Sequence, residues 1–217
     1  MTNKNKNHSS PPGSAGLQPG NTSSLPWHSR GYMPHFDSHH AIQHVTFRLA
    51  DSISASVLER FKQELKSLPP RQQESERRQR IESWLDAGHG SCILQNQEAA
   101  CLMRDTLLQF DGERYILYSW VIMPNHVHVL FQQREDWTMS RIVASWKSYT
   151  GKRLMPMLRD IKGHEKANRV WYREYWDRFI RDERHFRATI LYIQNNPVKA
   201  GLVKNPQDWQ WSSAAFQ

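Results

Sequence analysis

Two histidines separated by a single valine lie in the apolar segment 120–131, which reads WVIMPNHVHVLF. Successive side chains of a β-strand point to opposite faces, so His126 and His128 project to one side while Val127 and Val129 face the core. Buried imidazoles need partners for their ring nitrogens. Side by side on a rigid strand, the two histidines form either half of a metal site or an ordinary pair that hydrogen bonds satisfy.

A tyrosine and an asparagine late in the chain are a second candidate for chemistry. Tyr192 and Asn196 stand four residues apart in a segment with helical spacing, so they share one helix face about one turn apart. A phenol and an amide oxygen on one face can meet the same substrate. The alternative is structural, because a tyrosine near a helix end is often a packing residue and an Asn-Pro pair often only ends a helix.

The elements that must position these residues alternate between strand and helix patterns. Alternating apolar residues predict strands over 41–49, 115–122, 126–132 and about 176–180, the middle two joined by a Met-Pro-Asn turn. Helical spacing predicts helices from Asp51 or Ser52 to Leu68, over 97–110, from Thr138 or Ser140 onwards, and over 183–195 with Asp182 as its N-cap. Pro197 is expected to end the last helix. This order predicts an α+β fold, an antiparallel β-sheet with helices on one face and a further C-terminal helix.

Two segments depart from a minimal domain. Residues 1–26 consist mainly of Asn, Ser, Pro, Gly and Lys, so we predict a disordered polar tail before a single catalytic domain over 27–217. Residues 69–94 begin with a Pro-Pro pair and contain a highly charged helical segment, 72–85, which we interpret as an insertion. Its basic face is expected to be a solvated surface rather than a binding stripe, and consists of Arg77, Arg78 and Arg80.

The composition favours a nucleic-acid partner. Among 217 residues, 29 Lys and Arg outnumber 21 Asp and Glu to give a net charge of +8, and nine tryptophans supply stacking surfaces. The charge can instead serve solubility or an acidic protein partner. Cys92 and Cys101 are too few for a disulfide framework and indicate free thiols. No segment approaches the ~18 apolar residues of a membrane span and no secretory signal is recognisable, so we expect a cytoplasmic protein without a membrane partner.

The order and spacing of the motifs resemble one protein family. The motifs are VIMPNHVHVLF at 121–131, WKSY at 146–149, WDRFIR at 176–181, YIQNNPVKAGLV at 192–203 and WQWSS at 209–213. Together they resemble the REP-associated tyrosine transposases, which belong to the single-tyrosine transposases of the HUH endonuclease superfamily. The resemblance covers about residues 28–215, and the chain departs from the family in the polar tail and in the insertion.

This resemblance implies a role for each candidate residue. It makes His126 and His128 ligands of a divalent metal, and Tyr192 the nucleophile that attacks DNA to give a 5′-phosphotyrosine. Asn196 stands where relatives have a third metal ligand, and the chemically identical Asn195 adjoins it. The mixed His, His and Asn set favours Mg²⁺ or Mn²⁺ over zinc. The resemblance also implies a ferredoxin-like core and a single-stranded hairpin DNA substrate.

Basic and aromatic residues in the second half of the chain are candidates for DNA contacts. Cationic side chains can neutralise phosphates, and aromatic rings can stack on bases. The candidates are Lys147, Arg153, Arg173, Arg178 and Arg181 for phosphates, and Tyr172 or Trp171 for bases.

Taken together, these features predict a metal-dependent single-stranded DNA endonuclease and strand transferase acting on hairpin-forming repetitive palindromes. We expect a monomer or homodimer with no obligate protein partner. Two alternatives stay open. A replication initiator or relaxase-type nickase shares the histidine pair and the tyrosine, and a non-catalytic hairpin DNA- or RNA-binding module keeps the basic surface without the reaction. A zinc hydrolase is disfavoured, because no His-Glu helix motif lies near the histidine pair.

Overall fold

A computed structural model describes residues 27–29, 34–36 and 41–216 of the protein. Its strands and longer helices are, in chain order, β1 (Trp27–Ser29), β2 (Pro34–Phe36), β3 (Ile42–Arg48), α1 (Ala55–Lys66), α2 (Pro70–Asp86), α3 (Gln97–Leu108), β4 (Tyr115–Ile122), β5 (His126–Gln133), α4 (Met139–Arg159), β6 (Trp176–Phe179) and α5 (Glu183–Lys199). The backbones of β1 and β2 pair with each other. The predicted tail, 1–26, lies outside the described residues. Among those described, no helix has the length and apolar character needed to cross a bilayer.

Four strands form the main sheet, in the order β4-β5-β3-β6 with every neighbouring pair antiparallel. The turn between β4 and β5 is closed by a hydrogen bond from the Met123 amide to the His126 carbonyl, 2.9 Å long. In the register of the sheet, Thr46 of β3 stands opposite His128 of β5 on one side and Trp176 of β6 on the other. Three strands therefore present polar and aromatic side chains on one face. The predicted antiparallel sheet is confirmed.

The other face of the sheet is apolar and lies beneath α3 and α4. Its strand residues, all buried, are Val45, Phe47, Val127, Val129 and Phe131. This alternation of one buried apolar face with one polar face is the origin of the period-two pattern in β3 and β5.

Trp146 fixes α4 to this apolar face. Its ring packs on Phe47 and Phe131, with ring centroids 6.4 and 5.1 Å apart. Its indole N–H donates to the Tyr115 hydroxyl at 3.1 Å, which in turn donates to the Leu107 carbonyl of α3 at 2.7 Å. A buried hydrogen-bonded chain therefore joins α4, the sheet and α3, so their relative positions are well specified.

The polar face is covered by α5 and α2. Ile193 of α5 is buried against Val121, Met123 and Leu130 of β4, the following turn and β5. Along the sheet, Leu85 of α2 is buried in the region of β3 and β6. The predicted insertion therefore lies on the same face of the sheet as the histidine pair.

One part of the insertion contradicts the expected solvated basic surface. The Arg78 guanidinium lies over the Trp176 ring, 4.7 Å from its centroid, and pairs with Glu82 at 3.0 Å. Arg80, two positions on, points the other way and pairs with Glu76 at 2.7 Å on an exposed surface. The expectation is wrong for Arg78 because α2 packs on the sheet, and α2 has one covered and one solvated side.

The first helix begins later than predicted. Ser54 is its N-cap and accepts a hydrogen bond from the Val57 amide at 3.3 Å. The predicted caps are occupied elsewhere: the Ser52 hydroxyl donates to the Leu49 carbonyl at 2.8 Å, and the Asp51 carboxylate accepts from the Ser91 amide at 2.6 Å. The first contact is a local turn before the helix, and the second joins that turn to the loop after α2.

The last helix begins at its predicted cap but runs past its predicted end at Asn195, continuing through Pro197 to Lys199. A proline inside a helix removes a hydrogen bond and costs about 3 kcal/mol. Burial of both Asn196 and Pro197 beside the sheet offsets this cost. Asn196 therefore keeps helical geometry and lies one turn from Tyr192 on the same face.

Candidate active site

The Nε2 atoms of His126 and His128 lie 3.1 Å apart, and both side chains are almost fully buried. Asn125 fixes the orientation of the first ring. Its amide nitrogen donates to the His89 carbonyl at 3.0 Å, which leaves its oxygen 2.8 Å from Nδ1 of His126. Nδ1 of His126 is therefore the protonated nitrogen, and Nε2 carries a lone pair directed at His128.

The second histidine is held from β3. Nδ1 of His128 lies 2.8 Å from the Thr46 hydroxyl and 3.1 Å from Nε2 of His44. When Nδ1 carries the proton, Nε2 of His128 adds a second lone pair beside that of His126. His44 and Thr46 were not among the predicted site residues. The signal for them is the alternation of His44, Thr46 and Arg48 with buried apolar residues along β3.

All three imidazoles are neutral at pH 7. Burial, helped by nearby arginines, lowers the pKa of His44 to about 3. Burial and the positive charge of Lys199 lower the pKa of His126 to about 3. Burial, followed by the neighbouring His126, lowers the pKa of His128 well below its usual 6.5. A neutral imidazole is the form that coordinates a metal ion.

Asn196 on α5 supplies a third candidate metal-ligand atom, its side-chain oxygen. Its amide nitrogen donates to the Tyr192 carbonyl at 2.8 Å, whereas its Oδ1 is buried and has no hydrogen-bond partner within the described part of the chain. A buried carbonyl oxygen without a partner is costly. Asn195, in contrast, is exposed and donates to the Leu191 carbonyl at 2.8 Å. Of the two asparagines, Asn196 is the one that α5 turns inwards.

These donors fit a divalent cation. Two imidazole lone pairs and an orphaned amide oxygen are electron-rich groups that a cation would satisfy together. No group of three or more His, Cys, Asp or Glu side chains could hold a metal ion in the described ranges, so a site here depends on the asparagine. The donor set is that of His126, His128 and Asn196.

Tyr192 lies beside this donor set. Its ring stands edge-on to those of His128 and His44, with centroids 5.6 and 5.8 Å apart. Its hydroxyl lies beside the Glu82 carboxylate of α2 and the Asn196 amide. Burial raises the pKa of Tyr192 above its usual 10, and the neighbouring Glu82 carboxylate raises it further. The hydroxyl is therefore a neutral phenol at pH 7 and needs assistance before it can attack.

Two of the predicted phosphate contacts lie next to the site. Arg178 stands opposite His44 in the register of β6 and β3. Burial, together with the charges of Arg78 and Arg181, lowers the pKa of Arg178. The Arg181 amide lies 3.3 Å from Nδ1 of His185 at the start of α5. Positive side chains are thus concentrated along β6 and the first turn of α5.

The remaining predicted contacts have other partners in the fold. The Lys147 ammonium donates to the Arg173 carbonyl at 2.7 Å, and burial lowers the pKa of Lys147 to about 8. The Tyr172 ring lies under the Arg48 guanidinium, 3.7 Å from it. Arg153 lies on α4, behind the sheet, with its guanidinium 3.7 Å from the Tyr149 ring centroid.

The stacking role proposed for Trp171 conflicts with its position. This side chain is 6% exposed, and its indole N–H donates to the Thr150 hydroxyl at 2.9 Å. Trp171 is part of the apolar core, and of the two aromatic candidates Tyr172 is the more accessible.

Comparison with known proteins agrees with this geometry. Residues 103–196 match the family model described as IS200-like transposase, and this segment contains all four candidate catalytic and metal-binding residues. The resemblance to the tyrosine transposases is confirmed. A REP-associated tyrosine transposase of Escherichia coli (strain K12) is 25% identical over 113 residues, which is 52% of this chain and 62% of that protein. A Haemophilus influenzae protein assigned the same name is 32% identical over 96 residues, 42% of this chain and 54% of its own.

The chain therefore aligns with little more than half the length of these curated transposase relatives. Among solved structures, a REP-associated tyrosine transposase bound to a REP hairpin matches with a TM-score of 0.52, covering 86% of this chain and 84% of that one at 16% identity. At this identity the match establishes a shared fold, which extends well beyond the segment 103–196.

Proposed function

We propose that this protein cleaves and rejoins single-stranded DNA at hairpin-forming palindromes, with Tyr192 as the nucleophile and a divalent metal as cofactor. The observation that carries the proposal is a pair of buried imidazole nitrogens 3.1 Å apart, with the Tyr192 ring edge-on to His128 and the buried, unpartnered amide oxygen of Asn196 one helical turn from Tyr192. The names of the two bacterial relatives, and the hairpin in the solved neighbour, indicate the class of substrate.

The metal would be held by Nε2 of His126, Nε2 of His128 and Oδ1 of Asn196. When bound, Mg²⁺ or Mn²⁺ would neutralise charge on the scissile phosphate and stabilise the leaving oxygen. Asn125 and Thr46 orient the two imidazoles through their Nδ1 atoms, so the ligands are positioned before a metal binds.

Tyr192 performs the covalent step. Its hydroxyl oxygen forms a bond to phosphorus while the bond from phosphorus to the 3′-oxygen breaks, which leaves a 5′-phosphotyrosine and a free 3′-hydroxyl. The phosphotyrosine retains the energy of the phosphodiester, so a 3′-hydroxyl can reverse the attack without a nucleotide cofactor. Arg178 and Arg181, beside the site, would bind phosphates of the same strand.

A covalent-adduct assay tests the proposal. Wild-type protein and Tyr192→Phe would be incubated with 3′-end-labelled single-stranded oligonucleotides made from palindromes that flank the gene, with Mg²⁺ or Mn²⁺ or with chelator. We expect label to migrate with denatured wild-type protein only, and only with metal. An adduct that survives chelation would exclude the metal-dependent mechanism.

Other outcomes of this assay identify the alternatives. Hairpin binding without any adduct would favour a non-catalytic binding module. Adduct formation without joining to a second oligonucleotide would favour a nickase of the replication-initiator or relaxase type.

A further inference from the structure

Helix α2 reaches the candidate site from outside the transposase-like segment 103–196. Arg78, Glu82 and Asp86 recur every four residues and so share one face of this helix. At one end of the face, the Arg78 guanidinium lies over Trp176 of β6 at 4.7 Å. At the other end, Asp86 pairs with Lys199 in the last turn of α5 at 2.7 Å. Both ends of this face are therefore anchored to elements of the site.

Glu82 lies between these two anchors and contacts the nucleophile. Its carboxylate accepts a hydrogen bond from Nε of Arg78 at 3.0 Å and lies beside the Tyr192 hydroxyl, on which its negative charge acts. An exposed ion pair between residues four apart contributes little and needs no functional explanation. Here the two side chains are only 29% and 21% exposed, and the third partner is the reacting hydroxyl.

The imidazoles around Tyr192 have other partners. Nδ1 of His128 faces Thr46 at 2.8 Å and His44 at 3.1 Å, and its Nε2 faces His126 at 3.1 Å. In the proposed function these nitrogens hold the metal or orient its ligands. Unlike these imidazoles, the Glu82 carboxylate on α2 neither holds the metal nor orients its ligands, so it is available to accept a proton from the phenol.

The geometry points to Glu82 as the residue that orients the Tyr192 hydroxyl and accepts its proton, an inference that rests on the proposed function. A phenol that donates its O–H to a carboxylate keeps an oxygen lone pair for phosphorus. As the bond from Tyr192 to phosphorus forms and the bond to the 3′-oxygen breaks, the phenolic proton passes to Glu82, and the leaving oxygen takes a proton from solvent. Arg78 keeps the carboxylate in place and balances its charge before a phosphate enters.

Single-turnover adduct formation by the full-length protein tests this role. The probe is the same 3′-labelled hairpin oligonucleotide with Mn²⁺, and its dissociation constant is measured separately in chelator. Glu82→Gln keeps the size of the side chain and loses the proton acceptor. Asp86→Asn is the matched control, because it breaks the other contact between α2 and α5 and leaves the hydroxyl untouched.

We expect Glu82→Gln to slow adduct formation about 100-fold without weakening DNA binding, and Asp86→Asn to react at nearly the wild-type rate. Arg78→Gln should slow the reaction by a smaller factor, since Glu82 would lose its anchor. Thermal unfolding establishes that each variant is folded.

Three results would overturn the inference. If Glu82→Gln reacts as fast as wild type or faster, Glu82 does not assist Tyr192, and the adduct still supports the proposed function. If Asp86→Asn is slowed as much as Glu82→Gln, the effect comes from the position of α2 rather than from the carboxylate. If wild-type protein forms no adduct, the proposed function fails and this inference fails with it.

Discussion

Mild acid is expected to destabilise this protein through three buried histidines of the polar face. Burial lowers the pKa of His44 and of His126 to about 3, and that of His128 well below 6.5. In the unfolded chain each takes up a proton near pH 6.5, whereas in the folded protein each stays neutral. The unfolded state therefore binds more protons, so the stability present above pH 6.5 is lost as the pH falls towards 3.

The magnitude follows from the pKa of the unfolded state. For each histidine that stays neutral in the folded protein, the free energy of unfolding falls by about 1.4 kcal/mol for every pH unit below 6.5. Between pH 7 and pH 5 this amounts to about 2 kcal/mol for each histidine, or about 6 kcal/mol for the three. A domain has a total stability of roughly 5–15 kcal/mol. We therefore expect the protein to be marginal or unfolded at pH 5.

Urea unfolding at intervals between pH 7 and pH 5, in chelator, measures this slope. Few carboxylates titrate in this window, so histidines dominate the change. His44→Gln, which removes one of the three groups without removing a proposed metal ligand, should reduce the slope by about a third. A free energy of unfolding that changes by less than about 1.4 kcal/mol between pH 7 and pH 5 would refute the assignment of three neutral, buried imidazoles.

Three further predictions concern the metal, the DNA and the core. Asn196→Ala should weaken Mn²⁺ binding about 10–100-fold in an electron paramagnetic resonance titration, and unchanged affinity would exclude the amide as a ligand. Arg178→Ala should reduce the dependence of log Kd on log salt by about one unit for a single-stranded hairpin, while Arg153→Ala on α4 should not; equal effects would contradict a DNA path along β6. Trp146→Ala should cost about 3–5 kcal/mol in urea unfolding, because its ring and N–H join α4 to the sheet, and a loss below 1 kcal/mol would contradict that role.

The sequence predicts the sheet and the histidine pair because both depend on a local pattern. Alternation within β3 places His44 and Thr46 on one face of that strand, and alternation within β5 does the same for His126 and His128. The pairing of β3 with β5 then puts all four on the same face of the sheet. The end of α5 follows a different rule. Pro197 predicts a stop from its neighbours alone, whereas burial of Asn196 and Pro197 beside the sheet keeps the helix intact.

The contact between α2 and Tyr192 could not be predicted in the same way. Arg78 and Glu82 have the spacing of an ordinary helix-surface ion pair, and charge alone indicates a solvated face. What changes their role is the packing of Leu85 and Trp176, which depends on residues far apart in the chain. Proximity of this kind comes from tertiary structure, for which a single sequence carries no local signal.

The hydrogen bond from Asn125 to the His89 carbonyl has a consequence for the design of shortened proteins. The loop after α2 supplies the carbonyl that sets the tautomer of His126, and α2 itself is anchored to α5 through Lys199. Segment 69–94 therefore contributes to the geometry of the candidate site through the His89 carbonyl and through α2. Deleting that segment would keep all three proposed ligands in the chain but would remove the carbonyl that holds the Asn125 amide against Nδ1 of His126.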